Sequence, residues 1–418
     1  MRLPVLGRVV SLLRRQGLWA VMKIIEQRFV YRAFRSYGFR ISYSLFKILP
    51  IQRKILFASD SRGQLDGNLK FVYDELLRRG WDYTYVFALS PSIGRRKTYR
   101  ELIRLAFHLA TSRFILLDDF YPMVYPLKIR KKAELIQVWH AAGAFKKFGY
   151  SREIYTGHKR GINHRNYTKA IVSSRNVIPY YAEGFGISPE RIIPCGVPRT
   201  DVFFDEGYRE SVREKFFKQY PDLMSKKIIL YAPTFRGSGE SSAYFPFEVV
   251  DVDKLYEALS NEYAFLVKMH PFVKDRFPIP DAYQGFLLDF SQYREVNDLL
   301  FVADILVTDY SSVCFEYALL HRPMLFFAFD LEDYTTKRDF YFSYEDFVPG
   351  KIVRTTEEMV EAIKTRDFHT DMLDKFIEYF FDHVDGRSSA RFVDMVMTGE
   401  RGTARRMSAV RAKMVTRN

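Results

Sequence analysis

Short apolar runs alternate with helical stretches, stop, and then start again, and this pattern constrains the chain more than any other feature. The first series of strand-like runs covers 54–59, 83–89, 113–118, 135–139 and 170–174, with helical periodicity at 69–79, 99–110 and 176–185. Brief, almost wholly apolar runs suit strands covered on both faces, and helices interposed at this spacing point to a parallel, doubly wound sheet. A charged helical stretch at 208–219 follows, and the alternation then restarts at 227–232, 263–269, 286–289, 305–308 and 324–328. Helices are expected beside these runs at 253–259, 295–301, 313–320 and 357–364. The expected fold is therefore α/β: two Rossmann-like doubly wound domains facing a cleft, over 51–205 and 206–380. A length of 418 residues suits two such units. Ligands of open α/β sheets sit beyond the carboxyl ends of the strands, which directs attention to the cleft-facing loops.

The flanks differ from this body. Residues 1–50 hold ten Lys or Arg against the single acid Glu26. Leu12, Leu13, Leu18, Trp19, Val21, Met22, Ile24, Ile25, Phe29, Val30, Tyr31 and Phe34 interleave with those charges at roughly helical spacing. Helices packed on the main body account for this pattern, and so does an amphipathic surface lying on anionic lipid headgroups; the two are compatible. Arg8, Arg14 and Arg15 interrupt the first apolar candidate, which disfavours a signal peptide or a spanning helix. Residues 381–418 read as a C-terminal helix and a basic tail. The net charge of +14 favours anionic partners, whether nucleic acid, phospholipid or phosphorylated substrate. Cys195 and Cys314 stand far apart without metal-ligand spacing, so a reducing compartment is expected.

Four loops carry candidate chemistry. Thr308-Asp-Tyr-Ser-Ser312 closes a buried strand, and Ser311 or Ser312 can cap the helix that follows, turning its free N–H groups toward phosphates. Glu316 lies about one turn into that helix, within reach of a ribose; a capped helix with no ligand fits the same residues. Thr234 and Arg236 follow a second strand, and His270 follows a third with Lys268 in the strand itself. Arginine suits phosphate by paired hydrogen bonds, and histidine can bind or protonate an oxygen. In the first domain His140 comes immediately after a strand and can face the cleft as a general base, or can be a structural histidine. Lys146 and Lys147 read as solvated, available to an acidic acceptor. No Walker A motif, G-x-G-x-x-G turn, zinc spacing or G-x-S-x-G elbow is present. The aromatic residues fall mainly in apolar runs, which gives no support to a nucleic-acid platform.

These segments resemble the CDP-glycerol glycerophosphotransferase family, the teichoic acid primases and polymerases of Gram-positive bacteria, from about Lys54 to Arg391. The resemblance is carried by Trp139-His140, Tyr231-Ala-Pro-Thr-Phe-Arg236, Lys268-Met-His-Pro271, Thr308-Asp-Tyr-Ser-Ser312 and Arg322-Pro-Met-Leu-Phe-Phe327. Asp330-Leu-Glu-Asp-Tyr334, Phe340-Tyr-Phe342, Pro349-Gly350 and Asp385-Gly386 add to it. It implies a GT-B fold and attack by an acceptor hydroxyl on the β-phosphorus of a CDP-alditol, releasing CMP. It also implies His140 as general base, with His270 beside the pyrophosphate. Thr234, Arg236, Ser311 and Ser312 then bind phosphate, Glu316 binds the ribose, Asp309 organises its loop rather than a metal, and Arg338 contacts donor phosphate.

No cofactor or metal is expected. The implied partners are CDP-glycerol, an undecaprenyl-diphosphate-linked saccharide acceptor and the anionic cytoplasmic face of the membrane. Ala141-Ala-Gly-Ala144 stands where many polymerases have Gly-Thr-Pro, and no long segment precedes the catalytic unit; both lean toward a glycerol phosphate primase. A glycerol- or ribitol-phosphate polymerase of teichoic acid or capsule remains the alternative. Beyond these stand a sugar-nucleotide glycosyltransferase of the same fold and a noncatalytic basic membrane binder.

Overall fold

The computed structural model describes residues 26–92, 94–152, 161–293 and 295–398. The membrane reading of Leu12 to Ile25, Trp19 included, and that of the tail after Arg401 fall outside the described residues.

The first alternating series forms one six-stranded parallel sheet. Its strands are β1 (Gln52–Ser59), β2 (Thr84–Leu89), β3 (Ser112–Leu117), β4 (Glu134–Gln137), β5 (Lys169–Ile171) and β6 (Ile192–Ile193), in the order 2-1-3-4-5-6. The second series forms another, from β7 (Lys227–Ala232), β8 (Tyr263–Val267), β9 (Leu287–Asp289), β10 (Ile305–Thr308), β11 (Met324–Phe327) and β12 (Lys351–Val353), in the order 12-11-10-7-8-9. Every pairing in both sheets is parallel. The central strands are buried on both faces, as their uninterrupted apolar runs require. In each sheet the strand order reverses once, between β1 and β3 and between β7 and β10. A crevice opens at each reversal, and the loops after β7 and β10 carry Thr234, Arg236 and Asp309.

Unbroken helix runs through Glu26–Val30, Tyr31–Ala33, Phe34–Gly38 and Phe39–Phe46. Its inner face packs on the helix Tyr99–Thr111: the Tyr31 and Phe34 rings meet Tyr99 edge-on, and Phe39 and Tyr43 are buried. Tyr31 and Phe34 therefore belong to the body of the protein rather than to an outward apolar surface. The outer face carries Tyr37, Ile41, Leu45 and Ile48, all well exposed, with the exposed Arg32, Arg35 and Arg40 among them. No helix of the described residues is long and apolar enough to cross a membrane.

After the second sheet the chain returns to the first. Asp382 accepts from the Ser174 hydroxyl (3.0 Å), and Asp201 accepts from the backbone N–H groups of Ser388 and Ser389 (2.7 and 2.8 Å). Phe392, Val393 and Val396 then complete the apolar layer over Ile55, Phe57, Phe114 and Ile136.

Candidate active site

The loop after β4 is built to present His140. Trp139 adopts a left-handed backbone (φ 53°), costly for a bulky residue and held only where neighbours enforce it. Asn68 supplies that enforcement, donating to the carbonyls of Trp139 (2.8 Å) and Val138 (3.3 Å), while Gln137 Oε1 accepts from the Trp139 N–H (3.0 Å). The Trp139 ring lies between His140, Phe148 and Phe185. His140 turns Nδ1 inward, where it is buried 3.5 Å from Asp119 Oδ1, while the side chain as a whole stays 43% exposed. Burial lowers its pKa, opposed by the Asp119 carboxylate. A neutral ring with Nδ1–H toward Asp119 leaves the Nε2 lone pair for the exposed side. Beside it Asp118 is buried, and neither oxygen receives an aligned hydrogen bond, although Arg62 Nε comes within 3.1 Å. Burial pushes the Asp118 carboxyl up to about 6, only partly offset by Ser59 and Arg62.

The same loop continues onto the second domain. Gly143 (φ 63°) abuts Phe315 of the helix Val313–Ala318 so closely that a Cβ there would lie 2.0 Å from the ring. Phe145 then packs among Phe315, Phe340, Tyr344 and Phe347. Lys146, expected to be solvated, is instead half-buried, with Nζ donating to Tyr334 Oη at 2.8 Å.

In the second domain Thr234, Arg236, Asp309 and Asp330 form one buried network. Arg236 donates to Asp330 through Nε (2.7 Å) and Nη2 (2.9 Å), and through Nη1 to Asp309 (3.0 Å), the Thr234 carbonyl (2.9 Å) and the Thr234 hydroxyl (3.2 Å). Asp309 Oδ1 accepts from the N–H groups of Thr234 (2.8 Å) and Tyr310 (2.6 Å). Arg236 and Asp309 thus face one another, and both are buried. Arg236, expected to bind phosphate, and Asp309, expected to organise its loop, are here paired with each other, and Asp330 holds the rest of the guanidinium. Thr234 is likewise drawn into the network.

Other expected residues remain nearer the opening. Ser311 Oγ accepts from the Val313 N–H (3.3 Å), and the Ser312 hydroxyl makes no capping bond. His270 Nδ1 accepts from the Phe272 N–H (3.1 Å), so Nε2 carries the proton of the neutral ring. Burial, with Lys146 and Lys268 nearby, brings His270 down to about 4. The Phe235 ring touches the His270 ring (4.7 Å) and lies 5.8 Å from the Arg338 guanidinium, whose Nη2 donates to the Gly237 carbonyl (2.7 Å). Glu316 is buried and paired with Arg199, which donates to it through Nε at 3.0 Å and through Nη2. The Arg199 N–H also reaches Asn68 Oδ1 (2.9 Å), so one chain of contacts joins the support of His140 to the helix Val313–Ala318 of the second domain. Arg199 further lines an interdomain cavity of about 1120 Å³, with Gln64, Asp66, Glu295 and Asn297. Arg199, Asn68 and Asp118–Asp119 escaped sequence reasoning because nothing local marks them; their partners lie far away in the chain.

Two facing doubly wound domains, each turning polar loops from its carboxyl edge toward a shared cleft, define a GT-B transferase fold. The chain belongs to the CDP-glycerol:poly(glycerophosphate) glycerophosphotransferase family, whose model matches residues 41–398. It is 52% identical over 375 residues to a teichoic acid poly(ribitol-phosphate) polymerase of Bacillus spizizenii, which covers 88% of this chain; the chain spans 60% of that protein's length. It is 38% identical over 374 residues to a teichoic acid ribitol-phosphate primase of the same organism, covering 86% of this chain and 95% of the other. The structure of the wall teichoic acid polymerase TagF matches with a TM-score of 0.71 at 22% identity, over 92% of this chain and 97% of that one.

Proposed function

We propose that this chain extends a lipid-linked teichoic acid by transferring ribitol phosphate from CDP-ribitol, with release of CMP. The expectation of a glycerol phosphate primase yields to this reading on two counts. Both curated relatives described above handle ribitol phosphate, and identity is higher to the polymerase (52%) than to the primase (38%).

The observation that supports this chemistry is that the loop carrying His140 packs directly on the second domain, Gly143 against Phe315 and Phe145 against Phe347. His140 Nε2 takes the proton of the acceptor hydroxyl as its oxygen bonds to the β-phosphorus. The bond from that phosphorus to the bridging oxygen breaks, and CMP leaves with the electron pair. His270 Nε2–H and the Ser311–Ser312 turn stabilise charge on the phosphate oxygens, which is where such sites gain most. The nucleoside end lies toward Glu316 and the cavity beside Arg199. The acceptor is an undecaprenyl-diphosphate-linked chain, and the exposed ridge of Tyr37, Ile41, Leu45 and Ile48 with its arginines rests on the anionic bilayer that carries it.

The test is turnover of CDP-ribitol and CDP-glycerol on a lipid-linked acceptor analogue, with CMP quantified and products sized. Expected are at least a tenfold higher kcat/KM for CDP-ribitol and products many units long. Single-unit products return the primase reading, and a preference for CDP-glycerol returns the glycerol reading.

A further inference from the structure

Among the charged groups at the cleft, Lys146 has no part in the mechanism above, yet it is the most elaborately held. Its backbone forms an antiparallel bridge with Phe340, flanked by Lys147 N–H to the Asp339 carbonyl (2.8 Å) and Tyr341 N–H to the Phe145 carbonyl (3.0 Å). A loop of the first domain is thereby stitched to the second. The Gly143–Phe315 contact and the Phe145 aromatic nest fix its approach from the other side.

What the ammonium meets there is incomplete. Among the described residues its aligned partner is the Tyr334 hydroxyl, its Nζ lies 5.2 Å from the centre of that ring, and no carboxylate comes within ion-pair distance. The nearby acids are already engaged, because Asp309 and Asp330 both hold Arg236. His270 feels the charge of Lys146 and turns a protonated Nε2 away from its own backbone contact, and Arg338 adds a second cation. Three donors surround this place, and the one carboxylate whose charge reaches Lys146, that of Asp309, is already shared with Arg236. A half-buried charge lacking a counter-ion is costly and is relieved by a bound anion.

We propose that Lys146 is a catalytic residue that binds the β-phosphate of the donor, the phosphate being transferred, from the domain opposite the donor site. The proposal rests on the CDP-alditol reading above. The β-phosphate is preferred to the α-phosphate because Lys146 shares its loop with His140, and the base must stand where the hydroxyl meets the reacting phosphorus.

Burial lowers Lys146 to about 8, with Asp309 opposing and Arg338, Arg236 and Cys314 also facing it. Burial raises Cys314 and Tyr334, and His270 lies near 4, so none of these three titrates near the lysine.

Calorimetry of the full chain with CDP and with CMP, on the wild type and on Lys146→Met and Lys146→Arg, tests the assignment. Loss of a charge-assisted bond should weaken CDP roughly 10- to 100-fold in Lys146→Met while CMP changes less than about twofold. In turnover, wild-type kcat/KM should fall about tenfold per pH unit above pH 8 as the ammonium deprotonates, and Lys146→Arg should keep its plateau. A merely structural lysine would lower activity equally at every pH. Unchanged CDP affinity in folded Lys146→Met, or equal loss for CDP and CMP, overturns the proposal. Should the wild type prefer UDP to CDP, the CDP-alditol reading falls, whereas a loss for UDP but not UMP in Lys146→Met still upholds Lys146.

Discussion

The two sheet edges that face each other across the cleft treat charge in opposite ways. At the edge of the second sheet, Arg236 is enclosed by Asp309, Asp330 and Thr234, and its hydrogen bonds close on themselves. At the edge of the first, Asp118 and His140 Nδ1 are buried without an aligned hydrogen bond, and Lys146 leans across to the Tyr334 hydroxyl, the one hydrogen-bond partner of its ammonium among the described residues. A satisfied network gives a rigid floor, while unsatisfied groups keep free energy in reserve for a ligand. On the reading proposed above, one edge fixes the donor loops in position and the other presents the groups that act.

Three substitutions test the contrast, the largest effect first. His140→Ala should reduce turnover roughly 10²- to 10⁴-fold, the usual cost of a lost general base, with CDP affinity little changed. Steady-state kinetics beside calorimetry checks this, and near-normal turnover in a folded variant breaks the division of labour. Arg236→Ala leaves two carboxylates facing each other without their partner and should cost about 3–5 kcal/mol in urea unfolding. A loss under 1 kcal/mol would mean that the second edge is no scaffold.

Asp118→Asn should act in the other direction. The folded carboxyl titrates at about 6 against an ordinary 3.8, so its ionised form destabilises the fold fully above pH 6 and not at all below the unfolded value. The variant should therefore gain about 2–3 kcal/mol at pH 7, and the gain should shrink toward zero as pH falls to 4. Equal unfolding midpoints at pH 7 would show that the first edge stores no such charge.

The larger framework could be read from sequence because its signals are local. β1, β7 and β8 hold apolar runs of four or five residues, and both sheets announce themselves through them. β6 and β12 could not be read, because each holds an apolar run of two residues, Ile192–Ile193 and Ile352–Val353, against three at β5 and β9, and their pairing depends on a neighbour already in place. The same limit governs side chains. His140 and His270 stand out by type and by position after a strand. The pairing of Arg236 was not legible, because its partner Asp330 lies 94 residues later. Lys146 looked like one of a solvated pair because nothing in its own segment reveals the aromatic wall of Tyr334 and Phe340. Tyr31 and Phe34 likewise share a spacing with Phe29 and Val30, and only the helix Tyr99–Thr111 decides which of them turn inward.

The return of the chain to its first domain has a consequence for how the molecule is made. Phe392, Val393 and Val396 fill the layer over β1, β3 and β4, and Arg79 is anchored to Asp394. During synthesis the N-terminal half emerges first, as in any protein, but it lacks part of its interior until roughly 190 further residues have been added. The second domain, continuous in sequence from β7 to β12, meets no such delay. The half that is translated later can therefore reach its native state sooner, and the nascent first half must wait, with apolar surface uncovered, until residues 392–396 have left the ribosome.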